Sequence, residues 1–523
     1  MYQSCQVLIK IREFTRHSLG FILSLSILSC ASVGPDYQVP ETTFEEQWID
    51  ADHPSISHAS ASTDNWWEAF NDPVLNELIS IAYEQNLPLK IAGVRVLEAR
   101  AQLGIALGNR FPQQQQLRGG ATSVSLSESG ANTVGLDVNY NNYDIGFDAS
   151  WELDFWGKYK RGIESADARL LSEIASYDNF LVILISEVAN AYVAIRSFEQ
   201  RLALAHQNVA IQERSLQITE VRFRNGVTTE LDVQQAKSLL RNTQALIPRL
   251  ESGLRRSSNA LSVLLGMPPS DLDDLLGDQT GQIPTVSTDL SVGIPADLLR
   301  RRPDVKQAEL RAASQSALIG VSKAELYPSF SLNGSLGLLT SSNTNTTRSG
   351  ESGFNELIDS DSVQFIGGPS FRWNIFNYGR IKNDVRVQDA RFQQLVINYQ
   401  QTVLSAAQEV EDAMVGFLRT KEEAIFLQGG VDASTRSVDL ALLQYRDGVS
   451  DYTRVLNTQE FLVRQQDRLT TTREEVARNV IAVYKALGGG WQIRSDNEFI
   501  DEEIIKTMKD RTDWGNLLPE ESE

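Results

Sequence analysis

The residues whose types and spacing best suit chemistry are three carboxylates in one short stretch, Asp148, Glu152 and Asp154. Carboxylates this close together can act as general acid and base in catalysis. From Ile145 to Phe155, however, apolar and polar residues alternate, which is the period of a β-strand. A strand turns all three carboxylates to one face, so we predict that they line a polar surface and do not form a catalytic centre.

The histidines offer no catalytic or metal site either. None of the four stands near a cysteine or a pair of carboxylates at a spacing that suits metal ligands. We therefore expect no enzyme activity, no metal and no cofactor. The formal charge of −20 also argues against binding to nucleic acid, because phosphates need a basic surface.

The N-terminus carries the one cysteine to which we assign chemistry. Basic residues precede an apolar run from Leu19 to Leu28, a pattern typical of a secretory signal peptide. The run ends in a small residue followed directly by Cys30, which resembles a bacterial lipoprotein box. We predict that residues 1–29 are removed and that Cys30 is lipidated; the alternative is an ordinary signal peptide that is cut nearby. Cys5 would leave with the leader, so no intramolecular disulfide is expected.

Most of the chain consists of two copies of one unit. The stretch FRNGV at Phe223–Val227 returns as YRDGV at Tyr445–Val449, 222 positions later. A constant step over many residues is the mark of an internal duplication. Other matched pairs are Trp151 with Trp373 and Gly157 with Gly379 and, at an upstream step of 216, Arg95 with Arg311, Phe111 with Tyr327 and Pro112 with Pro328.

The duplication predicts the organisation of the whole chain. Each copy should contain a helix, two strands and a long helical hairpin. The predicted segments are the signal peptide 1–29, an extended lead-in 30–65, the first repeat 66–275, a linker 276–294, the second repeat 295–491 and an acidic C-terminal tail 492–523.

Four segments are predicted to be strands, of which the one around Gln114 to Val124 alternates only weakly. Strands of about ten residues with aromatic residues near their ends suit a transmembrane β-barrel. A soluble sandwich with one wet face would show the same alternation. Four strands cannot close a barrel, so in a membrane the chain would have to oligomerise, with eight strands from two chains or twelve from three. The predicted lumen residues are Asp148, Glu152, Asp154 and Arg372.

A long helical tract without proline follows each strand pair, from Gly157 to about Arg224 and from Gly379 to about Arg446. At 1.5 Å per residue, each tract would extend ~100 Å, more than a globular domain needs. Apolar residues form two offset series with a seven-residue period, which favours a helix packed on both sides within a cylinder of coiled-coil helices. The alternative is a helical bundle with no lumen.

The repeated turn is predicted to lie at the tip of each helical hairpin. Glycine tolerates the left-handed conformation that ends a helix, and Gly226 and Gly448 stand at these ends. We expect Thr228 and Ser450 to cap the returning helices. Exposed apolar residues at both tips suggest a docking surface. The predicted tip residues are Arg224, Asn225, Gly226, Val227, Arg446, Asp447, Gly448 and Val449.

With these features in place, the chain resembles the TolC-like outer-membrane efflux proteins and specifically their lipoprotein branch. The resemblance covers Cys30 to Trp491 and rests on several separate motifs in the same order. These are CASVGPDYQVP at Cys30–Pro40, DLLRRRPDV at Asp297–Val305, the paired hairpins, and YKALGGGW at Tyr484–Trp491.

The resemblance implies an α+β membrane protein that assembles as a homotrimer. Its twelve-stranded β-barrel in the outer membrane would be continuous with an α-helical tunnel through the periplasm. The implied partners are a periplasmic adaptor protein, which contacts the tips, an inner-membrane pump, and outer-membrane lipid around the barrel and the acylated Cys30. Ala31, which is not an aspartate, fits sorting of a lipoprotein to the outer membrane.

The family often closes the tip with acidic rings, and here the resemblance departs from the pattern. The expected VLDAQ-like stretch reads VLNTQ at Val455–Gln459, so Asn457 replaces the usual aspartate. We instead expect Asp232 and Arg454 to form ion pairs that hold the tunnel shut; the alternative is two solvated charges.

The predicted function is that of a passive exit duct for small molecules in a tripartite efflux system. Two alternatives remain: the outer component of a polypeptide secretion system, and a structural lipoprotein that bridges the cell envelope without conducting. The matched strands carrying Trp151 and Trp373 argue against a mere spacer.

Overall fold

The computed structural model describes residues 32–42, 47–57, 63–127, 129, 131, 139–277, 281–286, 290–291, 301–343, 354–494 and 499–518. The predicted signal peptide and Cys30 lie outside these residues. The chain divides into two compact units, and neither corresponds to a single repeat. Unit 1 comprises residues 1–39, 99–170 and 310–396, and unit 2 comprises residues 40–98, 171–309 and 397–523.

Helices dominate the described residues. In chain order they are α1 Pro73–Gln85, α2 Leu87–Gly108, α3 Lys158–Arg224, α4 Glu230–Leu264, α5 Asp273–Leu276, α6 Pro303–Ala324, α7 Arg380–Arg446, α8 Tyr452–Ala486 and α9 Glu502–Arg511. The strands are β1 Ile56–Ser57, β2 Gln114–Ser125, β3 Asn139–Leu153, β4 Leu290–Ser291, β5 Ser329–Asn343 and β6 Val363–Arg372.

The bounds of the helices show the duplication directly. Helices α3 and α7 are both 67 residues long and begin 222 positions apart. Helices α4 and α8 are both 35 residues long and keep the same step. Helices α2 and α6 are both 22 residues long and begin 216 positions apart. The predicted change of step therefore falls between the end of α2 and the start of α3.

Unit 1 contains an open four-stranded sheet. Its strand order is β2-β3-β5-β6, and every neighbouring pair is antiparallel. A tryptophan near the end of one strand of each repeat makes the same contact. Trp151 of β3 donates from Nε1 to the carbonyl of Arg110 at 3.1 Å, and Trp373, which directly follows β6, donates to that of Leu326 at 3.0 Å. The two donor tryptophans are 222 positions apart, and the two acceptor residues are 216 positions apart.

Unit 2 contains a matched pair of contacts that hold the ends of α4 and α8. Asn86 Nδ2 donates to the carbonyl of Leu264 at 2.8 Å, and Arg302 Nη1 donates to the carbonyl of Ala486 at 2.5 Å. Both carbonyls belong to the last turn of a helix, where no intrahelical donor remains. The second repeat thus uses a buried arginine where the first uses an amide.

Helix α3 includes an 18-residue stretch apolar enough to cross a membrane, with a mean hydropathy of 1.5. Of that stretch, 72% is buried inside the protein. Burial to this extent is typical of a core helix, so we assign the stretch to the core of the protein.

The C-terminal tail packs on α2 in unit 2. Helix α9 buries Ile505 and Met508 in a cluster with Leu97 of α2. Lys90 Nζ lies 2.5 Å from the carboxylate of Asp501, which also caps α9 by accepting from the amide of Ile504. The part of the predicted tail between 499 and 518 is therefore ordered against a helix of the first repeat.

Candidate functional site

One face of the sheet in unit 1 is largely apolar, although Gln115 at the β2 edge, opposite Ala149, is polar. The register places Phe147 of β3 opposite Leu117 and Leu336, and Leu336 opposite Phe365. The next rows are equally apolar. They contain Ile145, Leu338 and Val363, then Trp151, Leu332 and Pro369, then Leu153, Phe330 and Phe371. Leu117 and Phe365 at the sheet edges remain 76% and 72% exposed, so this face is open over the full width of the sheet.

The opposite face of the sheet is polar and centres on Arg118 of β2. Its guanidinium lies 2.8 Å from the carboxylate of Asp144 and 3.0 Å from that of Asp148. Glu152 lies on the same face, opposite Ser331, and Arg372 lies there opposite Ser329. Three carboxylates and two arginines therefore leave a small net negative charge on this face.

Arg118 was not among the residues predicted from the sequence. It pairs with carboxylates on a different strand, and this pairing depends on the register of β2 against β3. Because the alternation around Gln114–Val124 is weak, the face of the sheet on which Arg118 lies could not be predicted from the pattern of residues.

Asp154 was predicted to continue the acidic row of β3, and that prediction is wrong. Strand β3 ends at Leu153. The Asp154 carboxylate accepts from the amides of Tyr159 and Lys160 at 3.0 and 2.8 Å, so it caps the beginning of α3. The unpaired amides at the start of a helix attract a carboxylate, so Asp154 binds to the start of α3 and does not extend β3.

Removal of Arg118 is expected to make the polar face more cation-attracting. In an Arg118→Ala variant, Asp144 and Asp148 lose their counter-charge, and a pore lined by this face should shift its reversal potential further towards the cation value in a salt gradient. The neutral residue Gln114 points to the same face of β2, so Gln114→Ala is the matched control. An equal shift in both variants would contradict this electrostatic interpretation.

The tips of the helical hairpins adopt the same turn in both repeats. Gly226 and Gly448 have φ of 71° and 79°, in the left-handed region. In each tip the glycine amide bonds the carbonyl three residues back, and the next valine amide bonds the carbonyl five residues back, at 2.9 to 3.1 Å. This pair of bonds is a Schellman motif. All eight predicted tip residues are exposed, and Val227 and Val449 expose 60% and 78% of their surface.

The predicted caps of the returning helices are shifted by one residue. The N-cap of α4 is Thr229 and not Thr228, and its side chain makes no capping bond. The N-cap of α8 is Asp451 and not Ser450, and its carboxylate accepts from the amide of Arg454 at 3.2 Å. An aspartate also complements the positive end of the helix dipole, which explains why it is preferred over the neighbouring serine.

A side chain at either tip glycine should loosen the turn. A Gly448→Ala variant places a Cβ in the left-handed region, at a cost of about 1–2 kcal/mol. We expect the amide of Val449 to exchange about tenfold faster with deuterium. Gly429 lies in the middle of α7 with no atom near an added Cβ, so Gly429→Ala is the control that should leave this exchange unchanged. Equal exchange rates in both variants would contradict the assigned role of Gly448.

The two tips are joined within one chain by Arg222, a residue that the sequence reasoning missed. Its guanidinium donates to the carbonyls of Tyr445 and Arg446 at 2.9 and 3.1 Å and lies 4.7 Å from the ring centre of Tyr445. Arg222 immediately precedes the repeated stretch, and its counterpart in the second repeat is Gln444. This break in the duplication was the available signal.

A small core lies behind the Arg222 contact. It contains Ala236, Ala441, Tyr445, Tyr452 and Val455. The rings of Tyr445 and Tyr452 meet edge to face at 5.4 Å, and burial raises the pKa of the Tyr452 hydroxyl, which keeps it protonated. The tips of the two hairpins are thus packed and hydrogen-bonded to each other in the single chain.

The predicted gate residues lie near this core but do not pair with one another in the described part of the chain. The carboxylate of Asp232 accepts a hydrogen bond from the hydroxyl of Thr228. Arg454 and Asn457 are exposed on α8, and Asn457 lines a recess with Ser437 of α7.

Known proteins share both the sequence and the fold of this chain. Residues 78–267 and 294–489 match the outer membrane efflux protein family. Nodulation protein T of Rhizobium leguminosarum bv. trifolii is 30% identical over 92% of this chain and 98% of its own length. The pyoverdine export outer membrane protein OpmQ of Pseudomonas putida is 29% identical over 92% and 98%. The outer-membrane channel OprN superposes with a TM-score of 0.81 at 30% identity, over 88% of this chain and 99% of OprN. The chain belongs to the outer membrane efflux protein family.

Proposed function

We propose that three copies of this chain form a twelve-stranded barrel in the outer membrane, continuous with an α-helical tunnel in the periplasm. The apolar sheet face is the observation that carries this proposal. An apolar face that remains open across four strands suits contact with lipid, and the polar face behind it suits a water-filled lumen. Asp148, Glu152 and Arg372 would line that lumen together with Arg118.

The edges of the sheet support assembly of several chains. Strands β2 and β6 have neighbours on one side only, and unpaired backbone groups cannot remain exposed to lipid. Pairing of β6 with β2 of a neighbouring chain satisfies both edges. Four strands from each of three chains give a barrel wide enough for an aqueous pore.

The long helical hairpins support the proposed tunnel and its partners. Their tips present glycine turns and exposed valines, which suit contact with a periplasmic adaptor protein. The adaptor would connect the duct to an inner-membrane pump that supplies the energy. The similarity to OpmQ, a pyoverdine export protein, supports a small-molecule cargo over a polypeptide.

The contacts of residues 32–36 support a lipid anchor close to the sheet. The amide of Val33 donates to the carbonyl of Trp156, and buried Arg161 lies 2.7 Å from the carboxylate of Asp36. Gly34 packs so closely on Gly320 that a Cβ at either position would clash. Lipidation of Cys30 would then attach acyl chains two residues before a segment that packs on α3 and α6.

Asp232, Arg454 and Asn457 form a proposed gate level close to the tips. If ion pairs between neighbouring chains close this level, Asp232→Ala and Arg454→Ala should each raise the single-channel conductance. Asn457→Ala removes no charge and serves as the control at the same level. Unchanged conductance in both charge variants would reject the ion-pair gate.

The proposed duct is tested by recording purified full-length protein in planar bilayers and measuring its oligomer mass in the same detergent. We expect a trimer with discrete openings. A closed tip would keep the wild-type protein silent, so the Arg222→Ala variant is recorded in parallel. A monomer or dimer that stays silent in both forms would overturn the duct and favour a structural envelope lipoprotein.

A further inference from the structure

We propose that Tyr378 of each chain stacks on Phe111 of the partner subunit and thereby closes the ring of chains below the barrel. The inference rests on the proposed trimer and names the residues through which one copy recognises the next. Its basis is a contact that the two repeats already make inside one chain.

That internal contact joins Trp156 of the first repeat to the second repeat. Its ring stacks on Tyr327 with centroids 4.6 Å apart and planes 25° apart. Its Nε1 donates to the carbonyl of Pro328 at 2.9 Å. Tyr327 and Pro328 connect α6 to strand β5, so this contact fixes the start of a strand in one repeat against the end of a strand in the other.

The duplication predicts a second contact of the same kind. The bonds from Trp151 to Arg110 and from Trp373 to Leu326 relate equivalent residues at steps of 222 and 216. A step of 222 from Trp156 leads forward to Tyr378, and a step of 216 from Tyr327 and Pro328 leads back to Phe111 and Pro112. All three replacements keep the chemistry, because two aromatic rings can stack and the Tyr378 hydroxyl can donate to the Pro112 carbonyl.

The backbone before the two strands supports the equivalence. The amides of Arg110 and Phe111 bond the carbonyls three residues back, at 3.2 and 3.1 Å. The amides of Leu326 and Tyr327 do the same, both at 3.1 Å. Phe111 is therefore presented by the same turn that presents Tyr327 to Trp156.

Both halves of the second contact are open in the single chain. Tyr378 is 101% exposed, and Phe111 is 66% exposed. An exposed aromatic ring of this size suits contact with another molecule.

A second copy of this chain is the occupant that the symmetry favours. Within one chain, Trp156 of the first repeat stacks on Tyr327 of the second repeat, whereas the ring of Tyr378 is fully exposed. Contact of Tyr378 with the first repeat of another chain is head to tail, and such a contact gives a closed ring when the rotation between chains closes. No other molecule is needed to complete it.

The test is cysteine crosslinking of the full-length protein in outer membranes with a short bis-methanethiosulfonate. The Phe111→Cys/Tyr378→Cys double variant should give dimer and trimer bands on denaturing gels without reductant. The Trp156→Cys/Tyr327→Cys variant is the matched control, because it joins the equivalent residues inside one chain and should migrate as a monomer. Co-expression of differently tagged Phe111→Cys and Tyr378→Cys chains should crosslink only chains with different tags.

The outcomes separate this inference from the proposed duct. Monomer bands alone from Phe111→Cys/Tyr378→Cys, in a protein whose mass is that of a trimer, would overturn the aromatic contact and leave the duct standing. A monomeric mass with no crosslinked bands would overturn both. Crosslinks between chains of the same tag would also contradict the head-to-tail arrangement.

Discussion

Replacement of Arg222 by alanine is expected to raise the open probability of the reconstituted protein by up to about a hundredfold. Arg222 donates to the carbonyls of Tyr445 and Arg446, which belong to the other hairpin of the same chain. Its guanidinium also lies over the Tyr445 ring. Without these contacts, nothing charged joins the two tips at this point, and the hairpins can separate.

The size of the effect follows from the number of chains. Hydrogen bonds from a charged group contribute about 2 kcal/mol to a folded arrangement. Three such contacts in a trimer would stabilise the closed tip by about 6 kcal/mol, and a bias of about 5.5 kcal/mol moves a two-state equilibrium from 1:99 to 99:1. The variant should therefore spend most of its time open.

The matched control for this variant is Arg224→Ala. Arg224 lies two residues further along α3, carries the same charge and is exposed at the tip. The measurement is single-channel conductance and open probability in planar bilayers at one salt concentration. Equal open probabilities in Arg222→Ala, Arg224→Ala and the wild-type protein would show that Arg222 does not hold the tip shut.

The sequence predicted the helical hairpins well because their signals are local and repeated. Glycine needs no partner to adopt the left-handed region, so Gly226 and Gly448 mark the ends of α3 and α7 by themselves. The constant step of 222 then requires the same helix lengths twice. The strands were also found, because alternation is visible in a single chain.

Two kinds of residue role could not be predicted from the sequence. In the first, the partners of a side chain lie far away along the chain. In the second, a residue fits either of two adjacent elements. Arg118 and Arg222 act on residues brought close only by sheet register and helix packing. Asp154 fits a strand by its spacing, yet its carboxylate satisfies amides at the start of α3. The two-residue period of a strand cannot show whether Asp154 belongs to the strand or caps the next helix, because an aspartate at this position fits both.

Replacement of Arg302 by alanine is expected to loosen the end of α8. Arg302 is buried and donates to the carbonyl of Ala486 while it binds Asp304 and Glu409 at 2.8 and 2.7 Å. The variant leaves the carbonyl of Ala486 without its charged donor, at a cost of about 2 kcal/mol. The amides of Gly488 and Gly489 should then exchange with deuterium about thirtyfold faster.

Two further variants make this prediction specific to the buried contact. Arg301 is adjacent and exposed, so Arg301→Ala should leave the exchange unchanged. Asn86 makes the equivalent contact to Leu264 with a neutral amide, so Asn86→Ala should cost about 1 kcal/mol and speed exchange at Gly266 roughly fivefold. If Arg301→Ala had the same effect as Arg302→Ala, the loss of charge and not the buried contact would be responsible. We expect deuterium exchange to increase more in Arg302→Ala than in Asn86→Ala. Arg302 and Asn86 occupy equivalent positions of the two repeats, but the contact at the end of α8 comes from a charged group and the one at the end of α4 from a neutral amide.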